Sequence, residues 1–158
     1  MAERETDPAR IVADADVLAA DLLVGGAARE ALDAVRAHSW VKLVASDPLL
    51  DDAEAVVAAL ADEDLARAWR DRIEDLRVAV DHPPGDHPAL ASAYRGGAAH
   101  LLSYDDDLRN AKAGAELGSR LDVSVKTPAG FAGLFDAASL YGAVEGGEYP
   151  GPDTDARG

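Results

Sequence analysis

Cysteine is absent from this 158-residue chain, so neither a disulfide framework nor a thiolate metal site can be built from it. Aromatic residues make up only 5% against a hydrophobic content of 48%, which assigns the core to Ala, Val and Leu. No apolar run approaches the roughly 18 residues needed to span a bilayer. The opening segment MAERETDPAR is too polar for the apolar stretch of a signal peptide. These absences predict a soluble, cytoplasmic protein with no membrane partner. The four histidines, His38, His82, His87 and His100, show no i, i+4 pairing of the kind that builds a helical zinc site. They read as surface or turn residues, with only His87 notable for standing beside Asp86. Gly25-Gly26 and Gly96-Gly97 lack the Gly/Lys pattern of a phosphate-cradling loop and read as helix ends.

Cations are also scarce: 15 Lys and Arg face 30 Asp and Glu, for a formal net charge of −15 and a pI near 4.4. Such a balance opposes contact with RNA, itself a polyanion. It equally suits a halophilic protein, because the Debye length shrinks to about 3 Å at 1 M salt and surface repulsion fades. Few lysines, abundant Asp and Ala, and small apolar residues favour the halophilic reading. RNA therefore stays open as a partner.

The length fits one domain with a core of its own. Residues 1–9 form a flexible polar leader, 10–145 the domain, and the Gly/Pro-rich 146–158 a disordered tail. Ile11-Val12-Ala13 reads as a first strand, followed by helical spacing over Val17–Val24 and by a second helix, AAREALDAVRAH. Trp40 to Ala45 reads as strand two. Ser46-Asp47-Pro48 starts a helix, with a capping side chain ahead of proline. Leu49, Leu50, Ala53, Val56, Val57 and Leu60 form its apolar stripe. Asp62 to Val80 reads as one longer helix, ended by His82-Pro83-Pro84-Gly85. A helix from about Pro88 to Gly96-Gly97 follows, then a strand at Ala99–Leu102, a helix at Leu108–Leu117, a strand at Val123–Lys126 and a last helix capped by Thr127-Pro128. Strands alternating with helices imply an α/β, three-layer α/β/α sandwich around a mostly parallel sheet of four to five strands. In such sheets the working residues gather at the carboxyl ends of the strands.

Four acids fall near that edge. Asp14 directly follows the first strand, with Asp16 two residues on. Asp52 lies six residues after Ser46, in the early turns of its helix, with Asp51 and Glu54 as rival candidates. Asp86 opens DHPALASA, and Asp105 follows LLSY, with Asp107 and Asn110 beyond it; Asn110 and Ser103 are the weaker candidates. Two to four carboxylates suit Mg²⁺ or Mn²⁺ and leave positions for water. A cation so held activates water for attack on phosphate. Each acid also has a plain structural alternative, since an Asp at a helix start is ordinarily a cap. By the same logic Ser46 is a cap rather than a nucleophile, and Trp40 and Trp69 pack in the core.

The stretches IVADADVL, ASDPLLDDAEAVV, DHPALASAYRGGAAHLLSYDDDL and VKTPAGF, in that order, resemble the PIN-domain family of metal-dependent ribonucleases. The resemblance covers about residues 10 to 136 and includes the VapC-like toxins. It implies a catalytic carboxylate set of Asp14, Asp52, Asp86 and Asp105, with metal held by Asp14, Asp86, Asp105, Asp107 and Asp16. It also implies an RNA substrate, an antitoxin-like protein partner and a homodimer. Asp52 departs from the usual Glu by one methylene, and Asp16 replaces a commoner neutral residue. A weakly active or inactive binding module on the same fold is the alternative. A haloacid dehalogenase-like phosphatase, suggested by Asp14-Ala15-Asp16, ranks third, because Val17-Leu18 begins a helix where that family has Gly and Thr or Val.

Overall fold

The protein is described from a computed structural model, which covers residues 7–80, 88–104 and 124–153. Five strands form one all-parallel sheet: β1 (Asp7–Ala13), β2 (Lys42–Ser46), β3 (Val78–Val80), β4 (Ala98–Leu102) and β5 (Ser124–Lys126). The spatial order is β3-β2-β1-β4-β5. Helices α1 (Ala15–Leu23) and α2 (Gly26–Arg36) join β1 to β2, while α3 (Asp47–Leu60) and α4 (Glu63–Leu76) join β2 to β3. Helix α5 (Pro88–Gly96) precedes β4, and α6 (Pro128–Leu134) and α7 (Ala137–Val144) follow β5. Helices α1, α3 and α4 pack on one another, while α5 lies across β2, β4 and β1. The expected α/β sandwich is the observed architecture.

Central β1 is covered on both faces, which explains its continuous apolar run in place of alternation. Ile11 and Val12 are fully buried, as are Leu43, Val44, Leu101 and Leu102 on the neighbouring strands. Helix α3 begins as its sequence dictates, with the Ser46 hydroxyl accepting from the Leu49 amide at 3.3 Å and Pro48 in the first turn. Gly25 precedes α2 at φ +88°, a conformation that favours glycine. The direction of travel reverses after β3: the chain moves outward from β1 through β2 to β3, then returns to place β4 on the other side of β1. In parallel sheets the crevice outside the carboxyl ends of two such strands is the usual ligand position.

Four boundaries differ from expectation. The strand at β1 starts at Asp7, inside the expected leader, because the Asp7 amide donates to Gly97 O at 2.7 Å. The helix expected to reach Val80 stops at Leu76, and Val78-Ala79-Val80 pairs with β2 as an edge strand. No glycine or proline marks that stop, so the helical period runs visually into the strand. The helix expected from Thr127-Pro128 through Phe135 ends at Leu134, and a further helix, α7, follows it, capped by the Asp136 side chain, which accepts from the Ser139 amide. Residues 146–153, expected to be disordered, are tied to α2 and its exit. The Tyr149 hydroxyl lies 2.6 Å from His38 Nε2, and the Asp153 carboxylate accepts from both the amide and the hydroxyl of Ser39.

Candidate functional site

The carboxyl end of β1 leads directly into Asp14, and that of β4 into Ser103. Ladder bonds continue one residue past both strands. The Asp14 amide donates to Leu102 O at 2.8 Å, and the Ser103 amide to Lys126 O at 2.9 Å. Both residues are thereby fixed at the crevice between β1 and β4. Asp14 is 9% exposed and Ser103 fully buried. Asp14 Oδ1 accepts from the Ala15 amide at 2.8 Å, capping α1, while Oδ2 accepts from the Ser103 hydroxyl at 2.9 Å. The carboxylate thus stands at the positive end of the α1 dipole.

Asp16, in the first turn of α1, accepts from the Tyr104 amide at 3.3 Å. The exit of β4 is therefore tied twice to the start of α1. The Tyr104 side chain remains 45% exposed beside this edge. Burial of the hydroxyl, and then the Asp16 charge, push its ionisation upward, so it stays a neutral phenol.

Asp52 is exposed in the second turn of α3. Its two rivals have other work: Arg70 on α4 binds Asp51 at 2.8 Å, Glu54 at 3.0 Å and Glu74 at 2.8 Å. Burial alone would lower the Arg70 ionisation, and the hydrogen bonds to Asp51 and Glu74 more than reverse this. Arg77 similarly binds Asp47 at 2.6 Å and holds that carboxyl below its usual range. These contacts place Asp51 and Glu54 on the flank facing α4. Asp52 stands one turn before Val56, which packs against a small cluster of Ala19, Val57 and Ala66 drawn from α1, α3 and α4.

Asp86, Asp105 and Asp107 lie outside the described residues, as do Asn110, His82 and His87. Among the described residues no group of three or more acids and histidines is arranged to hold a metal ion. The described acids of the expected set are Asp14, Asp16 and Asp52. Asp14 and Asp16 come to one edge, offering only oxygen donors, which suit a hard cation. Among the described residues no Lys or Arg forms an ion pair with Asp14, so a neighbouring cation would not compete there.

Some sequence readings need revision. Ser103 carried little weight in the sequence, yet it is the direct partner of Asp14. Its signal was its place one residue past an apolar strand. Tyr104 was not singled out at all. Thr127 is the helix cap expected, its Oγ1 accepting from the Gly130 amide at 3.1 Å, and Phe131 is buried. His38 is a buried residue, packed against Trp40, Phe135 and Tyr149. His100 lies within β4 against the edge of Phe131, and burial, then the Lys126 charge, lower its ionisation. Neither is the surface or turn residue expected.

No curated protein and no solved structure matches the chain. Residues 5–157, nearly its whole length, match a family described as "Family of unknown function (DUF7384)". The chain belongs to that family.

Proposed function

We propose that this protein is a PIN-type endoribonuclease dependent on Mg²⁺ or Mn²⁺. The observation that carries the reading is Asp14: a nearly buried carboxylate at the reversal point of a parallel sheet, oriented by a buried serine. Asp14 and Asp16, with the exposed Asp52 of α3 added by the resemblance, are the described residues that would hold the cation. Asp86, Asp105 and Asp107 complete the set by the resemblance to PIN domains. Mg²⁺ or Mn²⁺, when bound, supplies Lewis acidity toward phosphate and lowers the pKa of water.

The chain's own residues account for positioning. The Ser103 hydroxyl holds Asp14 Oδ2 and the Ala15 amide holds Oδ1, so the carboxylate cannot rotate without losing both bonds. Tyr104 offers an exposed ring on which a base can stack. Arg70 engages Asp51 and Glu54 and leaves Asp52 as the acid of that stretch without a contact to it.

A second reading, a binding module of little activity, draws on the net charge of −15. In that case the acidic edge docks a basic, antitoxin-like protein. A phosphatase of the haloacid dehalogenase type stays third.

Incubation of a mixed structured and single-stranded RNA pool with Mn²⁺, in dilute and in concentrated KCl, separates these readings. Cleavage that EDTA abolishes, and that Asp14→Asn and Asp105→Asn both lose, supports the nuclease. A folded protein that cuts nothing at either salt favours the binding module.

A further inference from the structure

Among the described side chains the aromatic rings are turned inward, with one exception. Trp69 and Phe131 are buried, and Trp40, Phe135, Tyr141 and Tyr149 pack ring against ring. Tyr104 is 45% exposed. One exposed aromatic is ordinary on a protein surface, so exposure alone assigns it nothing. Its position carries the argument.

Tyr104 follows directly on Ser103, whose hydroxyl holds Asp14 Oδ2 at 2.9 Å. The Tyr104 amide donates to the Asp16 carboxylate at 3.3 Å, and the Ser103 amide ties the same segment to Lys126 O at 2.9 Å. These bonds fix the backbone that carries the ring against the two carboxylates proposed to hold the cation. The residue cannot leave that edge without breaking them. Burial of the hydroxyl, followed by the Asp16 charge, pushes the ionisation of the phenol upward, so the ring meets a phosphate backbone uncharged.

A phosphodiester is the same at every nucleotide, so contacts to it position a substrate without reading it. Discrimination needs a contact to the base. Of Asp14, Asp16, Ser103 and Tyr104, only Tyr104 presents a flat apolar face, and unpaired bases stack on such rings. We infer that Tyr104 stacks on the base of a nucleotide flanking the cut bond and thereby makes the protein prefer a purine at that position. The inference rests on the nuclease reading and adds a specificity to it. A stacked base adds roughly 5- to 150-fold to affinity. Any base has a face to offer, so every nucleotide is tolerated. The fused rings of a purine cover more of the phenol than a pyrimidine does, which makes the preference graded and not absolute.

The probe is an oligouridine of about ten nucleotides carrying one adenosine at its centre, cut in the presence of Mn²⁺ and mapped by product size. Wild type is expected to cut beside the adenosine about fivefold or more faster than between uridines. Tyr104→Phe should keep that ratio. Tyr104→Ala and Tyr104→Leu should bring it to about one, with Mn²⁺ affinity and circular dichroism unchanged. Leucine keeps an apolar side chain without a ring, so it separates stacking from simple apolar contact. Equal cutting at all bonds by wild type, or a ratio that survives in Tyr104→Ala, would overturn the inference while the nuclease reading stands. If no RNA is cut, that reading fails, and anisotropy of labelled oligomers with Ca²⁺ in place of Mn²⁺ decides the inference separately. Tighter binding of the adenosine-bearing oligomer than of plain oligouridine, lost in Tyr104→Leu, upholds the stacking contact. Equal binding of the two oligomers overturns it.

Discussion

Asp14 gives one oxygen to a helix cap and the other to a buried serine. Oδ1 caps α1, and Oδ2 is aimed by Ser103. A cap alone needs one oxygen and no buried serine 89 residues away. Ser103→Ala should therefore leave the fold intact but lower Mn²⁺ affinity and RNA cleavage by about 10- to 100-fold, the usual cost of losing a partner that orients a ligand. Equal cleavage rates in Ser103→Ala and wild type would remove the serine from the site. The place of Asp14 at the end of β1 was legible in the sequence because it ends an unbroken apolar run. The role of Ser103 was not, because it depends on the pairing of β1 with β4. His100 gives a pH signature at the same scale. Burial, then Lys126, lowers its ionisation below the ordinary 6.5, so the folded chain binds its proton less readily than the unfolded chain. Its contribution to stability is fully present above about pH 6.5 and is lost as the pH falls toward the folded value. Thermal melts from about pH 7 to about pH 5 should show a shallower decline in His100→Leu than in wild type. Parallel declines would assign the acid sensitivity to carboxylates alone.

At the scale of elements, α5 lies so close on β2 that Gly96 has the tightest surroundings among the described glycines. A Cβ at Gly96 would stand 2.3 Å from Val44 Cγ1, and Val44 is fully buried. Gly96→Ala should cost about 1–3 kcal/mol through overpacking, read as a lower melting temperature or denaturant midpoint. An unchanged midpoint would mean that α5 lies farther from the sheet. The sequence shows Gly96-Gly97 as a helix end, which is correct, but not the tight packing that makes the first glycine necessary. Helices with polar caps were readable in advance: Ser46 before α3 and Thr127 before α6 both accept from an amide three residues on. Elements without such punctuation were not. β3 follows α4 with neither glycine nor proline between them, and β1 extends back to Asp7 through polar residues that only pairing with β4 makes into strand. The segment 146–153 has the composition of a free tail. It is nonetheless held by His38, Ala37 and Ser39, three neighbours invisible to a local reading.

At the scale of the whole molecule, a net charge of −15 attracts divalent cations whether or not there is a site. Diffuse attraction is screened within about 3 Å at 1 M salt. Coordination by fixed carboxylates beneath a helix start survives such screening far better. The acid excess made the carboxylate edge hard to single out from composition, since acids are common everywhere in this chain. The sheet order singles it out, by placing Asp14 where the chain reverses between β1 and β4. Calorimetric titration of Mn²⁺ in concentrated KCl, on wild type, Asp14→Asn and Asp51→Asn, tests this most directly. The expected result is saturable binding to one or two sites per chain, lost in Asp14→Asn and retained in Asp51→Asn, whose carboxylate belongs to Arg70. Weak, unsaturable heats that are the same in all three proteins would contradict a metal centre at Asp14.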